Sequence, residues 1–131
     1  MIRSLTQLDY SIVFALFRTT FHSSEHEYFR DIWKGRDKEA SIGQWIHGVF
    51  VGAAIVRNKK IEYIFVSEYH QGCGIGTKLL QYIFSIRPVL RVNPVDDQKV
   101  LSWYERHGFL LTREYMTENG MHRSYIRRSH L

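Results

Sequence analysis

The stretch Ile61–Tyr82, IEYIFVSEYHQGCGIGTKLLQY, limits what this chain can fold into more than any other part of it. Ile61–Val66 is apolar and rich in β-branched and aromatic residues, which reads as a buried strand. Gln71–Gly76 is a glycine-rich turn, and over Thr77–Phe84 the residues Leu79, Leu80 and Ile83 recur at helical spacing. Strand, glycine loop and helix in that order suit an anion. Glycines let the backbone come close, and the loop amides and first helical N–H groups point at the charge. Two phosphate signatures do not fit: G-x-G-x-x-G would need glycine at Thr77, and the chain has no Gly-Lys pair for G-x-x-x-x-G-K-[ST]. The pattern Q/R-x-x-G-x-G/A is filled by Gln71, Gly74 and Gly76.

The remainder of the chain reads as one domain, residues 1–131, with a single core. Ile2–Leu5 is a short first strand. Thr6 and Asp9 mark a helix start, followed by an apolar face of Ile12, Val13, Leu16 and Phe17. Ser24 with Glu27 reads as a second capping box, and Tyr28, Phe29, Ile32 and Trp33 form the stripe behind it. Lys34–Ala40 is a charged turn. Gln44–Ile46 and Val49–Val56 read as a hairpin around His47-Gly48, and Asn58-Lys59 turns the chain into Ile61–Val66. Pro88 stops the third helix, Val89–Val92 is a strand, and Asp96 or Asp97 caps a fourth helix bearing Val100, Leu101 and Tyr104. Phe109–Tyr115 and His122–Ile126 form the last strands around Asn119-Gly120. Strands alternating with helices in the middle and hairpins at both ends give a mixed α/β sheet.

The run VSEYHQGCGIGTKLL resembles the V-x-P-x-Y-R-G-K-G-I-G-x-x-L-L segment of the GNAT superfamily of N-acetyltransferases, with Glu68, His70, Gln71 and Cys73 as departures. None of these removes a backbone donor. A second signature, Trp103 to Phe109, is similar to the superfamily's F-Y-x-x-x-G-F, with Asp97 and Val100 where asparagine and alanine are usual. The resemblance implies a central twisted sheet of six to seven strands flanked by about four helices, with acetyl-CoA as acyl donor. It implies that Gln71, Gly72, Cys73, Gly74, Ile75, Gly76 and Thr77 hold the pyrophosphate. A β-carbon at Gly76 is then expected to block the phosphate. It further implies that the backbone of Ile64, Phe65 and Val66 holds the pantetheine and the acetyl carbonyl, and that Tyr104 protonates the departing thiolate. The first two helices would line the acceptor side, which makes Phe21–Asp31 a candidate substrate wall.

Acetyl transfer needs a neutral amine, an oriented thioester, stabilisation of the developing oxyanion and a proton for the thiolate. Glu62 is the one carboxylate within the fourth strand, where the family often has an acidic residue, and strict alternation would place it with Ile64 and Val66. It is the candidate base, with His47, His122 or water as alternatives. Glu25, Glu27, Asp31 and Glu62 can form an acidic wall, which favours a small amine or polyamine over a protein tail. A non-catalytic acyl-CoA-binding interaction module is the other reading of the same fold.

Charge and composition narrow the field. A formal net charge of +5 suits nucleic acid, anionic lipid or an anionic cofactor, and CoA is itself a polyanion. No RNP-type aromatic motif, zinc finger or basic helix is present, so a nucleic-acid partner is not expected. No apolar run nears the ~20 residues of a membrane span, and no export signal opens the chain. With a single cysteine, this fits a cytoplasmic protein, monomeric or homodimeric. His22, Glu25 and His26 match H-x-x-E-H, but without a third ligand no metal is expected. Cys73 lacks the partners of a nucleophile.

Overall fold

A computed structural model of the protein describes residues 1–128. The elements are β1 (Ile2–Ser4), α1 (Tyr10–Thr20), α2 (Ser23–Lys34), β2 (Ile42–Ile46), β3 (Val49–Arg57) and β4 (Lys60–Val66). They continue with α3 (Ile75–Ile86), β5 (Val89–Val92), α4 (Gln98–Arg106), β6 (Leu110–Thr117) and β7 (Gly120–Arg128). Seven strands form one sheet in the order β1-β2-β3-β4-β5-β7-β6, in which only β4 and β5 run parallel. The mixed α/β architecture is therefore as expected, with four α-helices among the described residues. None of these helices is long and apolar enough to cross a membrane.

The turns carry the topology. His47 and Gly48 have φ of 50° and 80°, and Asn58 and Lys59 have 53° and 62°. Positive φ at both central residues is the two-residue hairpin geometry whose twist matches the flanking strands. β3, an interior strand, is buried over nearly its whole length. One core lies under α3 and α4, with Leu79, Leu80, Ile83, Leu101 and Tyr104 against Val56, Ile61, Leu90 and Phe109. The other lies under α1 and α2, with Val13, Phe17, Phe29 and Trp33 against Ala53, Ile55, Tyr63 and Phe65. Phe17 sits between α2 and β4, its ring 4.3 Å from Phe29 and 4.7 Å from Tyr63.

Four local details differ from the sequence reading. The β3–β4 register steps from Ile55↔Tyr63 to Val56↔Ile61, so Glu62 is the extra residue of a β-bulge. The bulge resets the alternation: Ile61, not Glu62, shares a core with Ile64 and Val66. α2 is capped by His22, whose Nδ1 accepts from the Ser24 amide at 3.2 Å, and not by Ser24. α3 starts at Ile75, two residues before Thr77, because Gly74 can take the left-handed turn that launches it. The apolar faces of α1 and α2 are narrower than the stripes suggest, since Ile12 and Tyr28 are exposed. Of the two candidate caps of α4, Asp97 does the work, accepting from the Lys99 amide at 2.9 Å.

The start of α1 is fixed by a buried carboxylate. Asp9 accepts from the Thr6 amide at 2.8 Å and from both terminal nitrogens of Arg3, at 2.8 and 2.9 Å. The Arg3 guanidinium holds the Asp9 carboxyl down at about 2 against the opposing effect of burial. A carboxyl whose folded value is depressed stabilises the fold above its unfolded value of ~3.9, and that contribution fades as pH falls towards 2. Because Arg3 is partly exposed, roughly 1–2 kcal/mol is expected. Asp9→Asn should cost that much in urea unfolding at pH 7 and little at pH 2. An equal loss at both pH values would assign the effect to packing.

Candidate active site

β4 and β5 pair only through Lys60↔Arg91 and Ile61↔Val92. β4 runs on to Val66 while β5 stops at Val92, so beyond Ile61 this edge of β4 has no strand partner. The bulge at Glu62 falls where the two strands part, and bulges increase local twist. Pro94 follows and can donate nothing to a ladder. A cleft of about 680 Å³ opens at this free edge. Its walls are Ile61–Val66 of β4, Gln71, Gly72 and Gly74 of the loop, Ile75–Thr77 of α3, Asn93–Val95, and Val100, Trp103 and Tyr104 of α4.

The glycine loop closes one end. Gly72 and Gly74 have φ of 81° and 76°, and an added Cβ at either would meet nothing within 4 Å. Their open sides therefore face space that a ligand can enter. The first backbone bond of α3 runs from Lys78 to Gly74, so the amides of Ile75, Gly76 and Thr77 lack intrahelical acceptors. At Gly76 a Cβ would stand 3.3 Å from the Trp103 ring, so this glycine lets α4 approach α3. The Gln71 side chain reaches the Val66 carbonyl at 3.5 Å, tying the loop to the end of β4. Cys73 is exposed, and its side chain is not part of the cleft wall.

His107, to which the sequence assigned no role, braces this end. The Thr77 hydroxyl lies 3.0 Å from His107 Nε2, and His107 Nδ1 lies 2.7 Å from the Trp103 carbonyl. A carbonyl only accepts, so Nδ1 carries a hydrogen, and in the neutral ring Nε2 then accepts from Thr77. His70 also lines the cleft, with Nδ1 buried and unpartnered among the described residues.

Tyr104 is 5% exposed and edge-on to Trp103 and Phe109, with centroids at 5.0 and 5.2 Å. Burial raises its phenol above the ordinary tyrosine value, which keeps Oη protonated at neutral pH. The residue lines the cleft, and Oη makes no hydrogen bond to another described residue.

A second pocket, of about 340 Å³, adjoins the cleft and shares Ile61, Glu62, Tyr63 and Asn93 with it. Glu25, Tyr28, Asp31 and Ile32 of α2 line its outer side, and Phe21 lines the cleft itself. The segment Phe21–Asp31 thus stands beside both spaces, although Glu27 reaches neither. The acidic wall is partly offset, since Arg57 and Lys60 line the same pocket. Glu62 is largely buried, with one carboxylate oxygen 3.0 Å from Arg57 and the other 3.2 Å from Lys60. The Tyr63 hydroxyl donates to Glu25 at 3.5 Å, and its phenol is pushed up to about 12, first by burial and then by the Glu25 and Glu62 charges. Of the rival bases, His47 sits in the β2–β3 turn and His122 stacks on Tyr115, and neither lines the cleft or this pocket. His26 Nε2 contacts the Phe21 carbonyl at 2.9 Å, so His22 and His26 both serve the start of α2. Among the described residues no group of three or more His, Cys, Asp and Glu is arranged to hold a metal ion.

A profile of the acetyltransferase (GNAT) domain family matches residues 34–110, which spans both signatures and most of the cleft wall. The chain belongs to the GNAT family. It is an N-acetyltransferase with acetyl-CoA as acyl donor. No curated protein sequence matches this GNAT protein. Its fold is similar to that of Ard1 from Thermoplasma volcanium, with a TM-score of 0.81 at 16% identity over 100% of this chain and 98% of that one. The Escherichia coli ribosomal-protein-S18-alanine N-acetyltransferase aligns with a TM-score of 0.74 at 19% identity, over 100% and 95% of the two chains. An aminoglycoside 6'-N-acetyltransferase complexed with coenzyme A aligns with a TM-score of 0.77 at 12% identity, over 98% and 96%.

The residues present fit the donor. An open strand edge can bond an extended amide chain, and free helical amides beside left-handed glycines can bond a diphosphate. Asparagine and aspartate tolerate the left-handed region best after glycine, so Gly74→Asn and Gly74→Asp form a matched pair at an open position. Calorimetry with acetyl-CoA should show at least ~10-fold weaker binding in the aspartate variant and a much smaller loss in the asparagine one. Wild-type affinity in Gly74→Asp would remove the phosphate from this loop.

Proposed function

We propose that this GNAT protein acetylates a primary amine on a small molecule by direct attack within a ternary complex. The observation that carries the reading is the continuity of the two cavities at Glu62, Tyr63 and Asn93, which lets an amine from the α2 side meet a donor laid along β4. Acetyl-CoA supplies the activated acetyl thioester. The backbone of Ile64, Phe65 and Val66 orients its pantetheine arm and acetyl carbonyl. The amides of Gly72, Cys73, Gly74, Ile75, Gly76 and Thr77 hold the pyrophosphate, with Gln71 bracing the loop; Cys73 contributes through its backbone alone.

Glu62 positions the incoming amine and accepts its proton, directly or through water. A carboxylate has about four lone-pair sites, so contacts with Arg57 and Lys60 leave it able to accept another hydrogen bond. Tyr104 holds a proton at Oη and passes it to the departing sulfur. A single domain, residues 1–131, carries both sites. Among the structural relatives, one name specifies an aminoglycoside and another a protein alanine. The pocket beside Glu62, about 340 Å³ with three carboxylates against two cations, suits a small cationic acceptor.

Tyr104→Phe removes one oxygen from a packed ring. It should lower kcat by ~10²–10⁴-fold with acetyl-CoA affinity nearly unchanged, the mark of an interaction made mainly in the transition state. Retained kcat would give the proton to water, and collapsed affinity would make Tyr104 a binding residue. Glu62→Gln should remove or shift the acidic limb of the pH–rate profile, and an unaltered limb would take the base role from it.

A further inference from the structure

We propose that the acceptor amine also carries an anionic oxygen group, a carboxylate or a phosphate, which seats in a basic pocket beside the acceptor site. The proposal rests on the acetyl-transfer reading above and names the substrate class for it.

A third pocket, of about 320 Å³, lies between β4, β5, β6 and β7. Lys60, Arg91 and Arg113 line it together with the polar side chains of Asn93, Thr112 and Ser124, and no carboxylate does. It shares Lys60 and Asn93 with the pocket beside Glu62, and Asn93 lines the donor cleft as well. All three spaces therefore meet at one residue.

The fold leaves Arg91 and Arg113 with oxygen-binding capacity. Arg91 uses Nη2 on the Asn58 carbonyl, at 2.9 Å. Arg113 lies over the Tyr115 ring at 4.6 Å and has no carboxylate partner among the described residues. Arg123, on the neighbouring strand, is different: Asp96 and Glu114 take its guanidinium. Asn93 links the pockets. In the amide orientation that satisfies both of its polar atoms, the nitrogen donates to the Val92 carbonyl and the Ser124 hydroxyl, both at 3.1 Å, and the oxygen accepts from Lys60 at 3.3 Å.

The two sides of Asn93 thus differ in charge. Towards α2 stand Glu25, Asp31 and Glu62 with Arg57; towards β6 stand Arg91 and Arg113; Lys60 lies between the two sides and is paired with Glu62. A molecule bearing an amine at one end and an oxyanion at the other matches that gradient. Guanidinium groups present forked donors that fit carboxylate and phosphate oxygens. The net positive charge of the chain has a local use here beyond the donor.

The test is calorimetric titration of the CoA-saturated protein with β-alanine, 3-aminopropyl phosphate, propylamine and 1,3-diaminopropane. The two zwitterionic probes should bind at least ~10-fold more tightly than propylamine, as a charge-assisted hydrogen bond would give. Arg91→Gln and Arg113→Gln, both at exposed positions, should each erase most of that advantage. The tighter of the two zwitterions identifies the anion. Equal binding of propylamine or diaminopropane, no binding of any probe, or an undiminished advantage in both variants would overturn the proposal. CoA release from acetyl-CoA with the same probes separates the two levels. Charge-selective binding without release supports the basic pocket and removes the transfer reading; release that ignores probe charge keeps the transfer and removes the pocket.

Discussion

β4 is paired along one side to β3 and along the other to β5 for only two residues. The proposed donor site is built on that half-open strand. Backbone donors and acceptors on the free edge form a ready template for an extended partner. Keeping the edge open requires β4 to be held from both faces. Phe17, Phe29 and Phe21 grip Tyr63 and Phe65 from the side of α1 and α2. Ile75, Leu79 and Ile83 of α3 support the opposite face. A rigid floor of this kind lets a loop and two helix ends present polar groups at fixed positions above it.

The distribution of charge was not what bulk composition suggests. An excess of five cations invites the idea that CoA phosphates are met by lysine and arginine. Yet Lys99 is the one lysine or arginine in the cleft wall, and the loop offers backbone amides instead. Cations gather beyond Asn93, on strands β4, β5 and β6. Anion binding by amides depends on geometry more than on charge, so a loop that holds the pyrophosphate as proposed needs no basic residue at position 73.

Much of the fold was legible because local chemistry and global structure agree. Asn58-Lys59 and His47-Gly48 are turn sequences placed between apolar runs, and both form the hairpins expected of them. The glycine loop was legible because only glycine adopts φ near +80° at little cost, so Gly72 and Gly74 mark the turn in any context. The bulge at Glu62 was not: nothing in IEYIFV distinguishes a bulged residue from a regular one, and the register is set by β3 across the sheet. The same holds for His107 under Thr77 and for the basic pocket, whose lining comes from positions 60, 91, 93, 112, 113 and 124–126. Such groupings exist only after the strands are ordered. His22 escaped notice as a cap because histidine is an uncommon choice at that position, whereas Ser24 and Glu27 fit the usual box.

The claim on which the rest depends is that the donor lies along the free edge of β4 with its phosphates on the glycine loop. Amide hydrogen exchange in the presence and absence of saturating CoA tests it residue by residue. Exchange should slow at amides within Ile64–Val66 and Gly72–Thr77, while β6, at the far edge of the sheet, exchanges as before. Unchanged exchange in both of those segments, with CoA bound, would contradict it.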